Sequence, residues 1–304
     1  MKIAVFGVGG VGGYFGGKIA VKYAGSSGHQ VVFIARGAHL AAIRKGGLLL
    51  KTVEGEFRAT PDLATDDPAA VGPCDLVLVC VKEYALEEAA ARLVPLLHEK
   101  TIVLSFLNGV DIAERLRSIL PQGVVLSGCV YISAFIEAPG VVRQAGGTCQ
   151  LLFGPDDGQA EAYRPLEKLL KEAGIKAELS AAIAVPLWAK YLFVSPMAAV
   201  TSLMGLCFGD VMADEKGRGM VRGLMAEIER LAAAKGIALP ADSVDRGIAT
   251  VERFPYATRS SMQLDYEKGG RTEVELFIGY AVRTGRTLGI PAPLHEELYA
   301  KLKK

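Results

Sequence analysis

The first half of the chain alternates short, wholly apolar runs with longer stretches of helical period. Residues 2–6 (KIAVF) read as a buried strand, followed by seven glycines between positions 7 and 17 and a helix-compatible stretch to about residue 24. A second apolar strand is predicted at 30–35 (QVVFIA), a helix near 38–45, and a hairpin over 48–60 with Glu54-Gly55 at its turn. Residues 75–81 (DLVLVCV) make a third strand, 84–98 a helix, 101–106 a fourth strand, and 124–131 a fifth, reached through an Asn108-Gly109 turn and a short helix to about 120. Strands that are apolar throughout, rather than alternating, imply a parallel sheet covered on both faces. Beyond 134 the pattern changes: 141–143 and 150–153 are expected as short antiparallel strands around a glycine-rich link, 160–173 as a helix and 175–179 as a strand. From about 182 only helical period remains, with helices predicted at 186–204, 213–234, 243–251 and 272–288. The predicted architecture is α/β. An N-terminal Rossmann domain, a doubly wound parallel sheet, spans residues 1–180, and an all-α C-terminal domain spans 181–304.

Bulk composition narrows the partners. The formal net charge is +1, which leaves no electrostatic footprint for nucleic acid or an acidic membrane surface. A small-molecule substrate fits better, and the apolar helices after Ala213 permit a homodimer without requiring one. The five cysteines include no C-x-x-C pair and are odd in number, so free thiols in a reducing compartment are expected. The apolar run after Lys2 stops at glycines after about four residues, which argues against a signal peptide. No apolar stretch is expected to be long enough to span a bilayer. A cytoplasmic location follows by elimination. None of the four histidines has a partner at metal-ligand spacing, so no metal is predicted.

The first strand runs directly into Gly7-Val8-Gly9-Gly10-Val11-Gly12, a G-x-G-x-x-G between a strand and a helix. Gly7 permits the tight turn, Gly9 lets a diphosphate approach the backbone, and Gly12 lets the helix pack close to the sheet. At the end of the second strand the chain reads Phe33-Ile34-Ala35-Arg36, with no acid to hold ribose hydroxyls. Arg36 can instead pair with a 2′-phosphate, so NADPH is favoured over NADH and over flavin. Lys82 and Asn108 follow the third and fourth strands directly, where open α/β sheets bind ligands.

Taken together, GVGGVG at 7–12, Arg36, Val81-Lys82, Leu107-Asn108-Gly109, Trp188-Ala189-Lys190, Arg259-Ser260-Ser261-Met262, Thr272-Glu273 and the closing GIPAP at 289–293 resemble the ketopantoate reductase (2-dehydropantoate 2-reductase) family over essentially the whole chain. The resemblance implies NADPH-dependent reduction of ketopantoate to pantoate. By residue match it implies Lys190 and Glu273 as catalytic, Ser261 as substrate-binding, and Asn108 and Ala134 as cofactor contacts. The chain departs from the family pattern four and eight positions after Lys190. Val194 and Ala198 stand where asparagines commonly contact substrate, which leaves the identity of the 2-oxo acid open.

The residues suit that chemistry on their own terms. Lys190 sits on an otherwise apolar helix, where an unpaired ammonium must reach a partner or solvent. It can supply a proton and a positive charge together. Glu273 opens a helix, where a carboxylate is favoured by the dipole for structural reasons alone, and Glu275 is expected to be structural. Either Ser260 or Ser261 can cap a helix. Three other readings compete: a same-fold reductase of another 2-oxo acid, a 3-hydroxyisobutyrate-type dehydrogenase, and a non-catalytic NADPH-binding regulator, which would need neither Lys190 nor Glu273.

Overall fold

The computed structural model describes residues 1–303, in two compact units, Met1–Ile183 and Ala184–Lys304. The first unit contains strands β1 (Lys2–Phe6), β2 (Gln30–Ile34), β3 (Leu48–Thr52), β4 (Gly55–Ala59), β5 (Leu63–Thr65), β6 (Leu76–Val79), β7 (Ile102–Ser105), β8 (Val124–Ala138), β9 (Val141–Gly154) and β10 (Lys176–Leu179). Its helices are α1 (Gly10–Tyr23), α2 (Gly37–Gly46), α3 (Leu86–Leu93), α4 (Ile112–Ile119) and α5 (Arg164–Glu172). The sheet order is β4-β3-β9-β8-β7-β6-β1-β2-β5, with β10 on β9. From β5 to β8 every pairing is parallel. The chain leaves β1 towards β2 on one side and returns to β6 on the other, so the strand order reverses beside β1. Crevices at such reversals, at strand carboxyl ends, are where open α/β sheets bind ligands. Ile3, Val5, Val31, Phe33, Leu76 and Leu78 are fully buried, as continuous apolar runs in a doubly covered sheet require.

The structure departs from the sequence reading in the second half of this unit. The stretch 141–153 falls in one strand, β9, pairing with β8 from Ser127 to Ala138 through several register shifts. The glycine-rich link is a bulge inside the strand: Gly147, at φ +86°, packs over the backbone of Tyr131 and Ile132, where a Cβ would collide. The hairpin over 48–60 forms, but Thr52 pairs with Gly55, so Val53 and Glu54 make the turn. Strand β5 lacked a periodic signal at three residues.

The second unit is helical: α6 (Ala184–Met204), α7 (Phe208–Ala213), α8 (Glu215–Ala234), α9 (Ser243–Glu252), α10 (Ser261–Glu267), α11 (Tyr280–Leu288) and α12 (Pro293–Leu302). The predicted helix over 272–288 is interrupted at its start by a π-helical turn, Glu275–Gly279. The helix that Ser260 or Ser261 was expected to cap is α10, with Ser260 as its cap, whereas α7 and α12 were not foreseen. One expectation is overturned: α6, at 21 residues, is long and apolar enough by composition to cross a membrane. Most of it is buried within the protein, and it packs against α8, α9 and α10 as a core helix.

Candidate functional site

In the first unit the glycine loop, the end of β2 and one face of α3 enclose a cavity of about 280 Å³. Gly7, Val8, Gly9 and Arg36 line it, so the structure brings together these four predicted residues. Gly7 adopts φ +96°, and its N–H donates to the Ile34 carbonyl at 3.0 Å, tying the loop to the end of β2. Gly9 is the N-cap residue of α1 and has no side-chain cap. A Cβ there would meet nothing within 4 Å, so the space beside the helix N-terminus is open to a ligand. A Cβ on Gly10 would instead fall on the Ala134 carbonyl, and one on Gly12 on the Gly7 carbonyl and Cys80. These two glycines, with the half-buried Val11, set how closely α1 packs; they do not face the cavity.

Arg36 is exposed at the tip of β2, immediately before α2, with Nη1 3.4 Å from Glu88 Oε1 on α3. His39, one turn further on, accepts the Gly140 N–H on Nδ1 at 3.0 Å. Its Nε2 is buried, with the Val8 carbonyl as its polar neighbour. Burial pulls this imidazole below its ordinary pKa, only partly offset by the Val8 carbonyl. Glu88, Arg92 and Ile136 complete the charged and apolar lining, with Arg92 5.7 Å from the Phe6 ring centroid. An open backbone cradle and an arginine with no acid beside it on the strand tip fit an anionic dinucleotide. Lys82, Asn108 and Ala134 do not line this cavity. Lys82 and Asn108 follow β6 and β7 at their carboxyl ends, and Ala134 lies within β8, where it pairs with Gln144 of β9. Sequence reasoning missed His39, Glu88 and Arg92. The last two recur at i and i+4, but nothing in the sequence says which face of α3 meets the loop.

In the second unit Lys190, Val194, Ala198 and Thr201 follow one another at helical spacing along α6. Val194 is half-buried and Ala198 fully buried. Thr201 Oγ1 lies 2.9 Å from Ser260 Oγ, which joins this face to the start of α10. Ser260 is the helix cap, accepting the Gln263 N–H at 3.1 Å, while Ser261 is the first helical residue and is exposed. Glu273 is only 4% exposed, and its carbonyl already accepts the Phe277 N–H at 3.0 Å, so it occupies an N-cap position. Glu275 is held by Tyr299 and Arg283, each at 2.5 Å, in the structural role expected of it. Among the described residues no group of three or more His, Cys, Asp or Glu converges as a metal site.

A glycine loop between strand and helix at a strand-order reversal, with an adjoining helical unit, defines a dinucleotide-binding oxidoreductase. The comparisons with known proteins agree. Residues 3–158 match the model of ketopantoate reductase PanE/ApbA and residues 183–304 that of its C-terminal domain, so the chain belongs to the ketopantoate reductase family, a family of nicotinamide-dependent oxidoreductases. It is 30% identical to the uncharacterized oxidoreductase YkpB of Bacillus subtilis (strain 168), over all of this chain and 98% of that protein. A PanE/ApbA family ketopantoate reductase from Ralstonia eutropha JMP134 superposes with a TM-score of 0.90 at 34% identity, covering 100% of this chain and 97% of that one. The 2-dehydropantoate 2-reductase of Porphyromonas gingivalis W83 does so with a TM-score of 0.86 at 34% identity, covering 100% and 99%.

Proposed function

We propose that this protein reduces a 2-oxo acid with NADPH in the cytoplasm, and that the acid is 2-dehydropantoate, giving pantoate for pantothenate and coenzyme A synthesis. The observation that carries this reading is the pairing, in a chain of this family, of Lys190 on a largely buried apolar helix with the buried Glu273 at a helix N-cap of the same unit. Arg36 at the tip of β2 supports NADPH over NADH.

When bound, NADPH supplies the hydride. The backbone N–H groups of Val8, Gly9 and the start of α1 would hold its diphosphate, and Arg36 would pair with its 2′-phosphate. Lys82, Asn108 and Ala134 add further cofactor contacts. Lys190 donates a proton from Nζ to the substrate carbonyl oxygen, and its charge stabilises the negative charge that develops there. Glu273 orients the new hydroxyl and the protons around Lys190. Ser261, whose hydroxyl is left over from capping by Ser260, donates to the substrate carboxylate.

The test is NADPH oxidation measured against a panel of 2-oxo acids. Ketopantoate is expected to give the highest kcat/KM, and failure to oxidise NADPH with any 2-oxo acid removes the reading. Val194 and Ala198 favour a second reading, a more apolar 2-oxo acid. An asparagine amide offers donors and an acceptor at these positions, whereas valine and alanine offer neither. Each polar substrate group left unsatisfied costs roughly 1–3 kcal/mol. If ketopantoate is the substrate, V194N/A198N lowers its KM. If the variant lowers activity on the preferred acid and leaves ketopantoate a poor substrate, the second reading replaces the first.

A further inference from the structure

We infer that Tyr191 and Ser195 are positioning residues, which hold the π-helical turn behind Glu273 in the register the reaction needs; this rests on the reductase reading above. The two lie four residues apart on α6, and so on one face of it, next to the face that carries Lys190 and Val194. Both are buried. Tyr191 donates its hydroxyl to the Phe277 carbonyl at 2.6 Å, with the Leu276 carbonyl 3.4 Å away. Ser195 donates to the same Phe277 carbonyl at 2.5 Å. Two side-chain donors from one helix therefore converge on a single backbone oxygen in the middle of the π-turn.

That turn is an unusual element to find there. Its closing bond runs from the Tyr280 N–H to the Glu275 carbonyl, one residue longer than in an α-helix. The extra residue puts neighbouring carbonyls out of step with the amides four residues on, and such bulges recur at functional sites. Donors at a fixed place can select the π register over the α register, because a shift of one residue carries the Phe277 oxygen away from them. The Tyr191 ring also packs edge-on against Tyr280 with centroids 5.9 Å apart, so one side chain grips both the middle and the end of the turn. On the other side the turn is fastened to α12 through Glu275 and Tyr299. Its N-terminal anchor is Glu273, whose carbonyl accepts the Phe277 N–H. The residue following Lys190 thus fixes the segment that begins at Glu273, and the two predicted catalytic groups share one mechanical link.

The experiment uses the full chain with S195A, Y191F and the double variant, all close to isosteric. Active sites are counted by NADPH binding. The readouts are kcat, KM for the 2-oxo acid, melting temperature, and hydrogen exchange at the Phe277 and Tyr280 amides. In the double variant kcat is expected to fall roughly 10- to 100-fold, the scale of misplacing a reacting group by about 1 Å. KM for NADPH and the melting temperature stay near wild type, and exchange quickens at those two amides alone. Wild-type kcat with unchanged exchange overturns the inference. So does a general loss of protection through the helical unit with a lower melting temperature, because the hydroxyls are then ordinary core bonds. If the wild type reduces no 2-oxo acid, the proposed function fails. The exchange pattern then decides whether the hydroxyls hold the turn, and uniform or unchanged exchange removes that claim as well.

Discussion

The proposed preference for NADPH rests on Arg36, whose ion-pair partner among the described residues is Glu88. The Arg36–Glu88 pair is exposed on both sides, so it is worth little and a phosphate can displace it. On the proposed reading, R36D puts a carboxylate in the place of the 2′-phosphate's partner. NADPH binding should weaken at least about tenfold, the effect of losing one charge-assisted contact, while NADH binding changes much less. Equal losses in a fluorescence titration with both cofactors remove Arg36 from the phosphate site. Lys190 makes a different prediction. K190A should reduce kcat about a hundredfold or more, the usual range for losing a general acid, with NADPH affinity unchanged because the glycine loop belongs to the other unit. Wild-type turnover in this variant would place the proton donor elsewhere. Arg36 was singled out in the sequence by the missing acid beside it, and the structure places it on the cavity; Lys190 was singled out as a cation on an apolar helix and by the resemblance of Trp188-Ala189-Lys190. His39 was not, because its meaning depends on Gly140, which lies 101 residues away in sequence.

At the scale of elements, the loop from β1 to α1 separates two roles that its sequence motif runs together. A methyl group on Gly9 points into open space, so G9A should melt like wild type yet bind NADPH weakly, its Cβ occupying the diphosphate's place. G10A drives a Cβ into the Ala134 carbonyl, so α1 must withdraw from β8. Overpacking of this kind costs about 1–3 kcal/mol. G10A should therefore lower both the melting temperature and the cofactor affinity. If G9A and G10A behave alike in thermal melts and NADPH titrations, this division is wrong. The strands and long helices were readable because burial imposes a period on them. The β8–β9 bulge, the π-turn and the choice of Ser260 over Ser261 as the cap of α10 were not, since each is fixed by what packs against it. Gly147 lies over the Tyr131 backbone, Phe277 meets two hydroxyls from α6, and Ser260 meets Thr201. Periodicity carries no trace of such contacts, and a glycine pair in a strand looks like a break until its partner strand is known.

At the scale of the molecule, the two-part organisation was visible as a change of period near residue 182, and the units divide between Ile183 and Ala184. What holds the helical unit together was less visible. Glu227 on α8 and His295 on α12 are both almost fully buried, with the carboxylate 2.6 Å from Nδ1. The same carboxylate accepts the Leu294 and His295 N–H groups at 2.8 and 3.0 Å, capping the first turn of α12 from another helix. Burial pushes the Glu227 pKa up, but the His295 ring and the two amides together outweigh it and hold the group below its ordinary value. The folded state therefore takes up this proton less readily than the unfolded chain. The stabilisation is complete above the unfolded pKa of about 4.3 and drains away as pH falls through the lower folded value. E227Q removes the ionised acceptor and turns an amide nitrogen towards a donor. It should cost about 1–3 kcal/mol at neutral pH, the range for leaving a buried donor without its acceptor. The chain's single tryptophan, Trp188, is buried in this same unit, so its fluorescence reports on the unfolding of the helices. Urea titrations followed at Trp188 should show wild type well above E227Q at neutral pH. The gap should narrow as the solution is acidified to about pH 3, below the unfolded carboxylate value. A gap that stays constant with pH would mean that Glu227 contributes by shape and not by charge, and the cap on α12 would then be ordinary packing.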